Sequence, residues 1–352
     1  MPTPELDALI TAINKQFKAP VLVYASQIPT FQRVTTGSLS FDLMLGGGWP
    51  LNAWNEIIGN ESNGKTVMAL KTIAANQEEN PDYRCLWVAS EDFNKQWAEA
   101  LNLDLTRVVL AQTNVMEDAY TIMLEALESQ SVDAIVLDSY PALTPSGEGE
   151  GEMGDWLPGL GARLTNKLMR KSPSVQRRGK EERQCLCLII NQWRDRIGVM
   201  YGDPRTTPGG KGKNFSYFTR VEVVRDEWIT DADKNKVGLV IKGLAMKNKT
   251  APPMRTGVTP FYFTDYGPYR KGDYDVVTQI FNIGLTYDVI ERHGAWYHYD
   301  IHKWNGKEAA VQAMREDYDI RDTIEKEVRR LLLGEPPPIP TTPKKRTVRK
   351  KA

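Results

Sequence analysis

The sequence predicts an α/β fold: a mainly parallel sheet with helices on both faces, carrying smaller units at either end. Three observations lead to it. Apolar runs alternate with helix-spaced segments from Thr36 onward, and the runs at residues 55–58, 85–88, 134–137 and 185–190 are short and nearly continuous, as strands covered on both faces are. The first of these runs passes through a glycine-rich turn into a helical run, the order in which strand and helix succeed each other in a parallel sheet. The length of 352 residues suits one large core with attachments better than three domains.

Taken in order, residues 4–17 place Leu6, Leu9, Ile10, Ile13 and Phe17 at helical spacing, ahead of a strand-like apolar run at 21–24. An amphipathic helix standing apart from the core pattern requires a partner surface for its stripe. Residues 1–34 therefore read as an oligomerisation segment and 35–268 as the core. Within the core, two glycine- and charge-rich stretches at 146–161 and 193–212 exceed what a compact domain leaves as connectors, so loops at 147–160 and 193–210 read as functional or disordered. Residues 269–334 form a small C-terminal α/β domain, in which 274–283 and 319–333 have helical spacing and the aromatic segment 295–299 lies between them. Prolines from Pro336 to Pro340 then end regular structure, leaving 335–352 as a disordered tail.

Composition excludes some classes. No window approaches twenty uninterrupted apolar residues, and the first ten residues lack the basic-then-apolar order of an export signal, so a cytoplasmic protein without membrane partners is expected. Cys85, Cys185 and Cys187 have no metal-ligand spacing, and the latter two alternate within CLCLII as buried strand thiols do. The net charge of zero hides an asymmetry. The tail holds six basic residues and one acid, which leaves 39 basic against 44 acidic residues in the rest. A mildly acidic body with a cationic tail points the tail toward a polyanion, or leaves it merely solvated.

Chemistry is concentrated at Gly59, Asn60, Glu61, Ser62, Asn63, Gly64, Lys65 and Thr66, which follow a strand and open a helix. This is a phosphate-binding P-loop in its required context. Glycines let backbone N–H groups curl round phosphate, Lys65 reaches the β and γ phosphates, and Thr66 offers a hydroxyl to Mg²⁺. Asp138, ending the apolar strand at 134–137, is the second metal-side candidate. Glu91, just past the strand at 85–88, polarises a water or serves as a helix cap. Gln192 beyond residues 185–190 senses the γ-phosphate or caps its own strand.

The strings TTGSLSFD (35–42), GNESNGKT, VLDSYPALTP (136–145), EGEMGD (150–155), INQWRDRIGVMYGDP (190–204) and HGAWYHY (293–299) occur in that order and resemble those of the bacterial RecA recombinases. The resemblance runs nearly to Leu333. It implies a P-loop NTPase core of the RecA type, ATP and Mg²⁺ as cofactors, helical homo-oligomers, and single- and double-stranded DNA as partners. It gives Lys65, Thr66 and Asp138 the phosphate and metal roles, Glu91 the water-activating role, and Gln192 the coupling of nucleotide state to the second DNA loop. Lys247 and Lys249, otherwise surface lysines near a turn, match a pair that reaches a neighbour's γ-phosphate. Trp97, alternatively a packing residue, matches an adenine-stacking aromatic.

The same resemblance assigns DNA contacts to Arg163, Arg170, Arg194, Arg196, Gly209, Gly210 and Lys211, with Ile197 as the wedge of the second loop. In the first loop Pro158 stands where the family has an apolar wedge, beside Leu157 and Trp156. Residues 1–34 resemble the polymerisation element, a helix and a strand. The C-terminal unit resembles the small domain that gathers duplex, with Lys303, Lys307 and Arg315 as contacts. Tails in this family are commonly acidic, so PKKRTVRKKA reverses the sign. The competing readings are a hexameric P-loop motor and a binding protein that has lost hydrolysis.

Overall fold

The computed structural model describes residues 3–17, 20–28, 30–149, 159–178, 183–195 and 202–334. The chain divides into two units, Met1–Gln32 and Arg33–Ala352. The division falls just short of residue 34 because Arg33 and Val34 pair antiparallel with Pro50 and Trp49 of the second unit.

In the first unit α1 (Pro4–Phe17) has Glu5 and Asp7 in its first turn and Lys15 in its last, complementing the helix dipole. None of its residues is buried. The run at 21–24 was expected to be a strand and is not one. Leu22 instead exchanges both backbone bonds with the Asn14 side chain, each at 2.8 Å, and Tyr24 donates to Asp7 at 2.8 Å. An extended segment becomes a strand only when another backbone takes its N–H and C=O groups, and here a side-chain amide has taken those of Leu22.

The second unit is built on an eight-stranded sheet made of β1 (Ala53–Ile58), β2 (Cys85–Ala89), β3 (Val108–Gln112), β4 (Ala134–Asp138), β5 (Leu186–Asn191), β6 (Thr219–Thr230), β7 (Lys236–Asn248) and β8 (Thr256–Tyr262). The order is β8-β7-β6-β1-β5-β4-β2-β3. Strands β6 through β3 in that order are parallel, and β7 and β8 are antiparallel. Helices α2 (Leu39–Leu45), α3 (Lys65–Glu79) and α4 (Lys95–Ala100) contribute to the core on one face, and α5 (Met116–Ser129) and α6 (Leu160–Arg178) to that on the other. Alternation within single strands shows why both faces read as apolar: Val136, Leu188 and Ile190 enter the first core, and Ile135, Leu137 and Ile189 the second.

A third cluster belongs to the C-terminal part, where α7 (Val276–Thr286), α8 (Lys307–Glu316) and α9 (Tyr318–Leu333) accompany a three-stranded sheet, β9 (Glu291–His293), β10 (Trp296–Tyr299) and β11 (His302–Asn305). This part joins the core through Leu39, which lies in its cluster, and through a buried ion pair. Asp42 accepts bonds from the Thr36 backbone at 2.7 Å, the Thr35 hydroxyl at 2.7 Å and Arg329 of α9 at 2.7 Å. Arg315, expected at a DNA surface, is turned inward to Tyr269, Asp275 and Thr278. Lys307 donates to Asn282 at 2.9 Å, and Lys303 lies over the Trp296 ring. Cys85, Cys185 and Cys187 are buried free thiols. Among the described residues no helix is long and apolar enough to cross a membrane.

Breaking a buried pair by removing one partner leaves a desolvated charge, so Arg329→Ala is expected to destabilise the chain by about 3–5 kcal/mol. Equilibrium chemical denaturation measures this, with exposed Arg330→Ala expected within about 0.5 kcal/mol of the parent.

Candidate nucleotide site and the roots of the DNA loops

The P-loop is pinned between β1 and α3 by contacts that only glycine permits. A Cβ on Gly59 would collide with the Val223 carbonyl of β6. Gly64 has φ +92° and a Cβ there would meet Ile241 Cδ1 at 2.8 Å. Lys65 folds back over the loop and donates to the Asn60 carbonyl at 2.6 Å. Burial pulls its pKa down, against the opposing pull of Asp138, Glu61 and Glu91. An ammonium with so little water is stabilised by an anion in the loop. The Asn63 amide donates to the Val223 carbonyl at 3.4 Å and Ser62 has φ +56°.

Thr66 donates its hydroxyl to Asp138 Oδ2 at 3.0 Å. Burial pushes Asp138 up to about 6, the Thr66 bond and Lys65 pull it back, and Glu91 raises it. Among the described residues no group of three or more His, Cys, Asp and Glu side chains could hold a metal ion. A divalent cation beside Thr66 and Asp138 would therefore complete its shell with phosphate oxygens and water, the manner in which Mg²⁺ is usually bound.

Parallel strands β2 and β4 put Ala89 opposite Asp138, and the residues that follow them are laced together. Ser90 donates to the Ser139 carbonyl at 2.7 Å and accepts from its N–H at 2.8 Å. Ser139 then donates to Glu91 at 2.8 Å. On the far side of β4, Gln192 follows β5 and its N–H donates to Asn191 Oδ1 at 2.9 Å. Glu91, Asp138 and Gln192 thus stand at one edge of the sheet beside the P-loop.

Sequence reasoning missed what lies beneath Gln192. Glu56 of β1 is fully buried and accepts from Asn191 at 2.8 Å, from Arg220 at 2.6 Å and from Lys213 at 3.4 Å. Lys213, also fully buried, donates to Thr207 at 2.6 Å. Glu56 sits inside an apolar strand and Lys213 at a loop end, and only the adjacent polar residues Asn55 and Glu56 in NEII hinted that this strand holds a polar partner.

Lys247 and Lys249 lie at and just beyond the end of β7, where Lys247 pairs in register with Arg220. Lys247 donates to the carbonyls of Asn214 at 2.5 Å and Phe215 at 3.2 Å, and Lys249 to Phe215 at 2.8 Å. Burial lowers Lys247 to about 8, with Lys249 and Arg220 adding to the shift.

Trp97 is half-buried against the first core, edge-on to Phe261 at 6.0 Å and beneath the Lys271 ammonium at 5.3 Å. These contacts pack one side of the ring on the core. Arg163 and Arg170 line a cleft of about 630 Å³ together with Asn166, Lys167, Gly212 and Ser216. Arg194 lies in a two-residue ladder in which Arg194 and Asp195 pair with Thr206 and Arg205, a structure not foreseen in the second loop. Gly209 and Gly210 have φ +92° and +74°, and Lys211 is exposed. Leu157, Pro158, Arg196 and Ile197 lie outside the described residues.

The RecA N-terminal domain family matches residues 4–266 and the RecA C-terminal domain family residues 278–333. Curated relatives agree over nearly the whole length. Protein RecA of Chlorobaculum tepidum is 35% identical over 337 residues, 94% of each chain. Those of Clostridium acetobutylicum and Thermus aquaticus are 34% identical, covering 92% of this chain and 90% and 93% of theirs. The chain belongs to the RecA family. It is a recombinase of homologous recombination and DNA repair, and a DNA-dependent ATPase. The RecA-type reading of the P-loop core accords with the mostly parallel sheet and its helices.

In this recombinase Glu91→Gln keeps an acceptor for the Ser139 hydroxyl and removes the carboxylate expected to activate water. DNA-dependent hydrolysis is expected to fall on the order of a hundredfold while nucleotide binding stays near the parent value. Unchanged turnover in steady-state assays would leave Glu91 a strand-end partner of Ser139 and nothing more.

Proposed function

We propose that the recombinase assembles as a helical filament on single-stranded DNA, pairs that strand with homologous duplex, and hydrolyses ATP in a site that a neighbouring protomer completes. The observation that carries this reading is the placement of Lys247 and Lys249. Two ammonium groups share the Phe215 carbonyl, and neither is in a recorded ion pair among the described residues. Like charges held on one carbonyl, with Lys249 also over the Phe218 ring at 4.8 Å, are relieved by a polyanion. The chain's own P-loop already has Lys65, so a neighbour's phosphate is the anion assigned to this pair.

Within one protomer Lys65 binds the β and γ phosphates, and Thr66 with Asp138 would hold Mg²⁺. When bound, Mg²⁺ neutralises charge on the phosphate oxygens. Glu91, held by Ser139, takes the proton of the attacking water, and Gln192 reads the γ-phosphate. Lys247 and Lys249 neutralise charge developing on the phosphoryl group of the adjacent protomer, in the manner of arginine fingers. The basic cleft of Arg163, Lys167 and Arg170, with Arg194, Lys211 and the glycines of the second loop, tracks the strand's phosphates. Buried free thiols accord with a cytoplasmic setting.

Two measurements test the shared site. Mixing Lys247→Ala/Lys249→Ala subunits with Lys65→Ala subunits is expected to restore hydrolysis that neither has alone, because some interfaces combine an intact P-loop with an intact lysine pair. Inactive mixed filaments would remove the neighbour's role.

The second is a pH profile. Lys247 is protonated below about 8 and loses its charge above, so DNA-dependent hydrolysis is expected to decline as pH rises through that value. A guanidinium stays charged up to about pH 12, so Lys247→Arg is expected to lack that decline. Superimposable profiles would assign the titration elsewhere.

A further inference from the structure

Tyr140 is the third residue of the string that begins at Asp138, and it is buried with 3% exposure. Its hydroxyl lies 2.8 Å from Thr165 Oγ1 on α6, and the Tyr120 hydroxyl on α5 lies 2.9 Å from the same oxygen. Thr165 spends its own proton on the Gly161 carbonyl at 2.8 Å. Its two lone pairs therefore accept from the two phenols, and both tyrosines donate. Gly161 and Ala162 stand in the first turn of α6, where the chain leaves the first loop.

The root of the second loop reaches the same point. A Cβ on Gly209 would collide with the Tyr140 hydroxyl and lie 2.9 Å from Lys213 Cε. One on Gly210 would meet Ala162 Cβ at 3.3 Å, and one on Gly212 would collide with Asn166 of α6. The roots of both loops are thus packed on each other and on one phenol oxygen. That phenol belongs to the residue following Ser139, which donates to Glu91.

We propose that Tyr140 is a positioning residue through which DNA held at the two loop roots sets Ser139 and Glu91 for hydrolysis. The proposal rests on the reading that these loops hold single-stranded DNA. DNA that moves α6 or Gly209 against the phenol moves the backbone two residues from Asp138, because Tyr140 is buried and close-packed cores transmit displacement. Tyr120 makes the same bond to the same oxygen from the first half of α5, with the rest of that helix and all of β4 between it and Asp138. It is the internal control that separates positioning from packing.

The experiment compares full-length Tyr140→Phe and Tyr120→Phe with the parent. Hydrolysis is measured without DNA and with saturating oligo(dT), together with KM for ATP, and oligo(dT) affinity is measured separately by fluorescence anisotropy. Tyr140→Phe keeps the ring and leaves Thr165 its other two bonds. It is expected to lower the DNA-stimulated kcat on the order of tenfold, within the usual range for coupling between sites, with the DNA-free rate, KM and oligo(dT) affinity unchanged. Tyr120→Phe is expected to keep the parent ratio of stimulated to unstimulated rate. Equal losses in both variants, a full DNA response in Tyr140→Phe, or a loss of oligo(dT) affinity in place of kcat would each overturn the proposal. Failure of the parent to bind oligo(dT) would instead overturn the reading of the loops on which it rests.

Discussion

A carboxylate taken out of water at the centre of a sheet costs several kcal/mol unless cations and hydrogen bonds surround it. Glu56 meets that requirement with Lys213, Arg220 and Asn191, and much of the functional geometry hangs from the three. Asn191 holds the backbone of Gln192. Lys213 holds Thr207 and fixes the end of the second loop. Arg220 stands opposite Lys247 in the ladder between β6 and β7. Gln192, the end of the second loop and Lys247 are therefore all referenced to one buried charge.

The second constraint is the common direction of the strands. In a parallel sheet all carboxyl ends emerge at one edge, where ligands of α/β proteins bind. The P-loop, Glu91, Asp138 and Gln192 are separated by long stretches of chain, yet each stands at or just past the end of β1, β2, β4 or β5. The long antiparallel hairpin of β6 and β7 extends this sheet on the other side. It brings Val223 and Ile241 against the P-loop glycines, so the part of the chain bearing Lys247 also shapes the phosphate loop.

Several local patterns were legible because they need no distant partner. The P-loop, the α1 stripe and the apolar runs of β1, β2, β4 and β5 are spelled in consecutive residues. The hairpin was not, because Arg220, Glu222, Arg225 and Glu227 interrupt any apolar run along β6. Residues 21–24 carry strand composition without a strand, since Asn14 occupies the backbone groups of Leu22. Trp97 and Arg315 have the chemistry expected of ligand contacts, but Phe261 packs on the one and Asp275 accepts from the other.

By itself the sequence determined the family, the phosphate loop, and the types of residue at the strand ends, because motifs of that kind are contiguous and their chemistry is set by residue identity. Only the tertiary structure decided that Glu56 and Lys213 share a buried site and that Lys247 and Lys249 sit on one carbonyl. It alone brought Tyr120 and Tyr140 onto the Thr165 hydroxyl and Gly209 against the Tyr140 phenol. Burial and hydrogen-bond partnership are properties of residues far apart in the chain, and no periodicity of 2 or 3.6 residues records which of them will meet.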